Sequence, residues 1–257
     1  MRSTAALILT ACLALVPIAT ASAEPDLALR VEGYLGYSNL DFGFVDLDAF
    51  QGGGTGSVSA VFEQFYLQGD LFGDVMDFDQ GFKAKNVGPG VHIGGRDPSK
   101  GSVGIVGTYN DLDLDDGSLD IFRVGFEGEA YLDRLTLGLN AGLIDLDGDA
   151  HAYIEGLLAF YPMENARLNF RIGAVGVDDS DPLINLGLGV EFLANQTLAP
   201  FMRWEASLPD DFGDVFQYSL VVGLTFYWGA ETPTLQGYDR SRFKQSCSGV
   251  LLLGRIC

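Results

Sequence analysis

Alternation with a period of two residues is the feature that most restricts this chain. From Phe216 to Trp228, positions Phe216, Tyr218, Leu220, Val222, Leu224, Phe226 and Trp228 are large and apolar, while Gln217, Ser219, Gly223 and Thr225 are small or polar. Successive side chains of an extended strand point to opposite sides, so the pattern describes a strand with one oily face. It recurs about twelve times, over 27–38, 56–63, 65–73, 83–94, 102–110, 119–132, 135–144, 151–161, 167–177, 183–193, 198–208 and 215–228. The stretches 41–55 and 87–95 are ambiguous, and reading them as loops leaves ten strands.

The faces keep their character from strand to strand. Leu27, Leu29, Val31, Leu35 and Tyr37 share one side, as do Phe122, Val124, Phe126, Ala130 and Leu132, then Leu135, Leu137, Leu139, Ala141 and Leu143, and Ile184, Leu186, Leu188, Val190 and Phe192. Opposite them stand Arg30 and Glu32, Arg123, Glu127 and Glu129, Asn140, and Asn185 and Glu191. A soluble sandwich would carry more Lys, Glu and Ser on its polar faces. A closed barrel in hydrocarbon satisfies every backbone group and leaves no free edge. The expected fold is therefore all-β: a closed antiparallel transmembrane β-barrel of about twelve strands.

The connections sort into two classes. Glu63-Gln64 and Asp133-Arg134 are two-residue turns that keep Phe62 with Phe65 and Leu132 with Leu135 on one face. Short links also fall at 163–166 and 194–197, with a longer one at 95–101. The intervening connections carry clusters of Asp, for example Asp74, Asp77 and Asp79, or Asp210, Asp211 and Asp214. Alternating strand direction gathers the acidic loops at one end and the tight turns at the other, with an even strand number and both termini on the turn side.

Residues 1–23 read as a secretory leader: Arg2, an apolar run from Ala5 to Ile18, and the small-residue site Ala21-Ser22-Ala23. A lipoprotein box ending at Cys12 is the alternative. No later segment approaches the roughly 18 apolar residues of a membrane helix. The formal net charge is −20, and removing Arg2 with the leader makes the mature chain more acidic still. That argues against nucleic acid as a partner.

At this point the chain resembles the outer-membrane β-barrel proteins of Gram-negative bacteria, over roughly 27 to 228. In that group the last strand carries a recognition signal for the barrel-insertion machinery, and Gly223, Phe226 and Trp228 match its spacing; Val221 departs from it, and a tail follows the strand. The resemblance implies residence in the outer membrane among lipid and lipopolysaccharide.

The tail, 229–257, loses the alternation and carries Arg240, Arg242, Lys244 and Arg255. A solvated periplasmic extension is the expected reading. The sharper alternative is a segment closed by a Cys247–Cys257 disulfide that enters the acidic lumen or docks on a partner.

Arg30, Glu32, Arg123, Glu127, Glu129, Arg167, Arg171, Glu191, Arg203 and Glu205 are candidate lumen residues, either lining a pore or filling a plugged interior with mutual ion pairs. A narrow channel for ions or small hydrophilic solutes is the leading function. A non-conducting barrel whose acidic loops bind divalent cations, lipopolysaccharide or a partner is the alternative. Alternating carboxylates at Asp111, Asp113 and Asp115, and at Asp145, Asp147 and Asp149, are weak Ca²⁺ candidates; no other cofactor is indicated. His92 and His151 fall inward with no Ser close behind in sequence, so no enzyme is expected.

Overall fold

The structure, a computed structural model, describes residues 25–41, 46–115, 117–146, 148–177, 180–208, 216–229, 233–244, 248–251 and 254–256. The leader, Asp147, Cys247 and Cys257 lie outside the described residues. Twelve described strands form the wall. The first six are β1 (Asp26–Asp41), β2 (Asp46–Phe62), β3 (Phe65–Phe78), β4 (Lys83–Asp97), β5 (Gly101–Leu114) and β6 (Gly117–Leu132). The rest are β7 (Leu135–Leu146), β8 (Asp149–Met163), β9 (Ala166–Val177), β10 (Ser180–Phe192), β11 (Leu198–Leu208) and β12 (Phe216–Trp228). Each strand pairs antiparallel with its sequence neighbours, and β1 pairs with β12 to close the barrel. Twelve strands, not ten, follow because both ambiguous stretches are paired.

Segment 46–55 extends β2 ten residues before the first position at which alternation is legible. Its Gly52-Gly53-Gly54 run has no side chains to reveal a period, yet it pairs with Leu35, Tyr34 and Gly33 on β1. Gly53 is required there: a Cβ would lie 2.5 Å from the Tyr34 hydroxyl and 2.6 Å from Asp74 Cβ. The stretch 87–95 is likewise strand, its ladder to β5 broken only at Gly88 and Pro89, where proline has no N–H to offer.

Tight turns join β2 to β3, β6 to β7 and β8 to β9. Glu63 and Asp133 take φ of 52° and 40°, the left-handed conformation of hairpin turns whose twist matches the flanking strands. The expected link at 95–101 is shorter than read, because β4 runs to Asp97.

Exposed apolar side chains surround the wall: Leu35, Leu71, Val103, Phe126, Leu139, Ile154, Leu188 and Val222 are all more than half exposed. Monomers in water rarely display so continuous an apolar surface. The inside is polar at mid-height, with Ser57, Gln68, His92, Asn110 and Thr225 buried. No helix among the described residues is long and apolar enough to cross a membrane.

Two apolar clusters occupy the inner face at the loop end. Leu40, Ala49, Met76, Phe78, Ala84 and Leu112 form one; Ile121, Ile144, Tyr153, Val175 and Leu183 form the other. A third, at the turn end, joins Ala28, Leu193, Ala199 and Tyr227 to Leu235, Tyr238 and Phe243. Those last three belong to the tail, which folds as a short helix, α1 (Leu235–Ser241), and a small hairpin of β13 (Ser248–Leu251) and β14 (Gly254–Ile256). The expectation of a solvated extension is thus corrected: the tail is seated in the mouth of the barrel.

Candidate functional site: an ionic lumen with a seated tail

Period-two geometry places Arg30, Glu32, Arg123, Glu127, Glu129, Arg167, Arg171, Glu191, Arg203 and Glu205 on the inner face. Isolated ions in a dry interior are strongly disfavoured, and several of these are held by ion pairs, hydroxyls or aromatic rings. Arg203 clasps Glu32 through two hydrogen bonds of 2.6 Å and lies over the Phe201 ring at 4.1 Å. Arg30 donates to Ser57 Oγ at 3.0 Å, and Arg123 sits 4.1 Å above the Tyr153 ring. Arg171 and Glu205 flank Gly187, where an added Cβ would lie 3.5 and 3.9 Å from their side-chain carbons.

His92 of β4 sits between two carboxylates. Its Nδ1 is 2.7 Å from Glu127 Oε2. Its Nε2 is 3.0 Å from Asp70 Oδ2 but lacks the alignment of a hydrogen bond, so that contact is one of charge. Tyr66 donates to the other Glu127 oxygen at 2.5 Å. His151 is also buried on the inner face.

The tail inserts its own charges among these. Thr234 caps α1, its hydroxyl oxygen accepting from Gly237 N–H at 3.0 Å. Tyr238 stacks on Tyr227 with centroids 4.6 Å apart. Asp239 accepts from Arg167 Nη1 at 2.5 Å and from the Tyr161 hydroxyl at 2.7 Å. Arg167 also bonds Glu191, which accepts from Tyr227 at 2.9 Å. Arg242 pairs with Asp26 at the first residue of the wall.

Lys244 reaches the inner faces of β3, β5 and β6. Its backbone N–H donates to Gln68 Oε1 at 2.7 Å, and Gln68 returns a bond to the Lys244 carbonyl at 3.3 Å. Its ammonium bonds Ser102 and lies 2.6 Å from Glu129 Oε2. Burial works against both tail ions: it lifts the Asp239 carboxyl above the ordinary carboxylate value and draws the Lys244 ammonium down, while Arg167 and Glu129 respectively oppose it. Desolvation therefore offsets part of what the ion pairs contribute.

Beside Lys244 lies a cavity of about 30 Å³, open on one side and lined by Glu127, Glu129, Asn140, Glu155, Gly138 and Leu157 among others. Glu155 makes no hydrogen bond or ion pair with any described residue. Nearby, Arg96 is buried over the Tyr66 ring at 4.7 Å, and its nitrogens have no hydrogen-bond partner among the described residues. Sequence periodicity could place the wall residues inside. The seats of Asp239 and Lys244 were beyond it; a basic cluster in so acidic a chain was the signal.

The loop-end carboxylates stand elsewhere. Asp111 and Asp113 belong to β5 and share a face opposite to buried Asn110 and Leu112, so they project outward. Lys85 lies 3.8 Å from Asp113, and Asp115 accepts from Lys83 N–H at 2.9 Å. Asp145 accepts from Gly148 N–H at 2.9 Å, and Asp149 is exposed. Among the described residues no group of three or more His, Cys, Asp or Glu could hold a metal. On β12, Gly223 faces inward beneath Phe201, while Phe226 and Trp228 are exposed outside.

No family model and no curated protein matches the chain. Solved structures do. The translocator domain of the autotransporter NalP from Neisseria meningitidis is similar at 15% identity and a TM-score of 0.53, covering 88% of this chain and 98% of that one. The NanC porin aligns at 9% identity and 0.52, covering 77% and 98%. The β domain of the Bordetella autotransporter BrkA aligns at 13% and 0.50, covering 78% and 99%. At such identities the likeness is one of fold: this chain has the fold of the outer-membrane β-barrels.

Proposed function

We propose that this barrel is a passive channel of the Gram-negative outer membrane, non-enzymatic, for ions or small hydrophilic solutes, with its periplasmic mouth closed in the present state by its own C-terminal segment. The observation that carries the reading is that the mouth is stopped by a segment separate from the wall. Side chains dominate its hold, with a single backbone bond to the turns, Gln236 N–H to the Glu164 carbonyl at 3.0 Å, among the described residues. A plug held in this way can leave without disturbing a strand ladder. Inward Glu127, Glu129, Glu155, Glu191 and Glu205, with Asp70, favour cations in the opened lumen. Gly223, Phe226 and Trp228 would serve recognition by the insertion machinery, and the outward apolar belt would meet outer-membrane lipid.

The apolar clusters at the loop end favour a second reading, a non-conducting barrel whose outward acidic rim engages Ca²⁺, lipopolysaccharide or a partner. Planar-bilayer recordings separate the two. Full-length protein should show rare, brief openings, and the full-length double variant Asp239→Asn/Lys244→Gln should show long, cation-selective ones. Silence of both proteins would overturn the channel reading.

A further inference from the structure

The cavity beside Lys244 already holds one ammonium, and that ammonium comes from a segment outside the wall. Glu127, Glu129 and Glu155 line the cavity together with Lys244, and His92 and Asp70 stand behind Glu127. Lys244 contacts only one end of this group, Glu129 and Ser102. Glu127 is engaged by His92 and Tyr66; Glu155, across the cavity, is left without a partner among the described residues.

The register shows how these groups face one another. Glu127 pairs with Asn140 on β7, and Asn140 pairs with Glu155 on β8, so the three form one row across neighbouring strands. Glu129 stands opposite Gly138 in the next inward row. Two strand spacings put the backbones of β6 and β8 about 10 Å apart, and Gly138 between them contributes no side chain. The carboxylates of Glu129 and Glu155 can thus be bridged by a short chain with a positive charge at each end.

We propose that this cavity binds a small organic dication of the diaminoalkane class, one ammonium taking the seat of Lys244 at Glu129 and Ser102 and the other pairing with Glu155, and that binding releases the tail. A hard metal cation fits less well, because Ca²⁺ seeks six to eight oxygens in one shell, whereas these carboxylates are spread over separate strands and Glu127 is already committed to His92 and Tyr66. A simple monovalent amine could replace Lys244 but would leave Glu155 unanswered. The proposal deepens the channel reading, since a solute that displaces the plug opens its own route.

Tail release can be read without conductance. Full-length protein in detergent micelles is treated with chymotrypsin, which cuts after Tyr238 and Phe243 once the tail leaves the mouth, and the clipped product is followed by mass. Adding 1,4-diaminobutane should accelerate cleavage at least tenfold at concentrations where KCl of equal ionic strength, 1-aminobutane and 1,4-butanediol do not. Glu155→Gln should raise the half-saturating diamine concentration at least tenfold, with Glu155→Asp between it and the wild type. Equal acceleration by KCl, no acceleration at all, or an identical response of both Glu155 variants and the wild type would overturn the proposal. Diamine-dependent cleavage alongside silence in bilayers would sustain the binding site and sink the channel instead.

Discussion

Arg203 on β11 and Glu32 on β1 clasp each other over β12, the strand that closes the barrel, through two parallel hydrogen bonds of 2.6 Å. Both side chains lie mostly out of solvent, so each is the other's main substitute for water. A planar guanidinium matches a carboxylate in this two-point geometry. Arg203→Ala would strip buried Glu32 of its two-point partner, at a cost of about 3–5 kcal/mol. The double variant Arg203→Met/Glu32→Leu should recover most of that loss. Unfolding by urea, followed through Trp204 and Trp228 fluorescence in lipid vesicles, measures both; equal losses in the single and double variants would count against the pair's role.

Leu139 tests the outer face. It projects from the middle of β7 and is 56% exposed, while its neighbour Asn140 points inward. In water a charge there would be almost neutral, as exposed substitutions usually fall within about 0.5 kcal/mol. Facing hydrocarbon, Leu139→Arg should cost about 2–4 kcal/mol. Folding free energies in bilayers check this, and a change near zero would place the belt in water.

Gly223 has a packing reason independent of any recognition role. A Cβ there would meet the Phe201 ring at 2.5 Å and crowd the Gly33 carbonyl, and Phe201 itself packs with Tyr34 and Val221 in a buried cluster. Gly223→Ala should therefore destabilise the barrel by about 1–3 kcal/mol through overpacking. Refolding from urea into detergent, with no insertion machinery present, isolates this effect. Unchanged stability would leave recognition as the explanation for a glycine at this position.

Much of the wall was legible in the sequence because a lipid-facing strand writes its register in every second residue. Leu27 through Tyr37 and Leu135 through Leu143 disclose strand, facing and order together, and Glu63-Gln64 and Asp133-Arg134 disclose the turns. The first half of β2 was illegible for a physical reason: Gly53 lies beneath the Tyr34 hydroxyl and Gly54 against the Glu32 carbonyl, where a Cβ would come within 2.5 Å, so the run carries no side chains to show a period. The tail's entry into the lumen was open to reading from its basic residues, but its seats were not. Asp239 and Lys244 find partners by reaching across the lumen to Arg167 and Glu129, and no local period records contacts spanning 72 and 115 residues of chain.

The most direct test of the central claim, an oily-sided barrel stopped at one mouth by its own tail, is a single-channel recording of the full-length protein while chymotrypsin is added to the compartment facing the tight turns. The account predicts a largely closed barrel that steps irreversibly to a conducting state as the tail is cut. A barrel that conducts freely before protease arrives, or stays silent after mass analysis confirms cleavage at Tyr238 or Phe243, would contradict it.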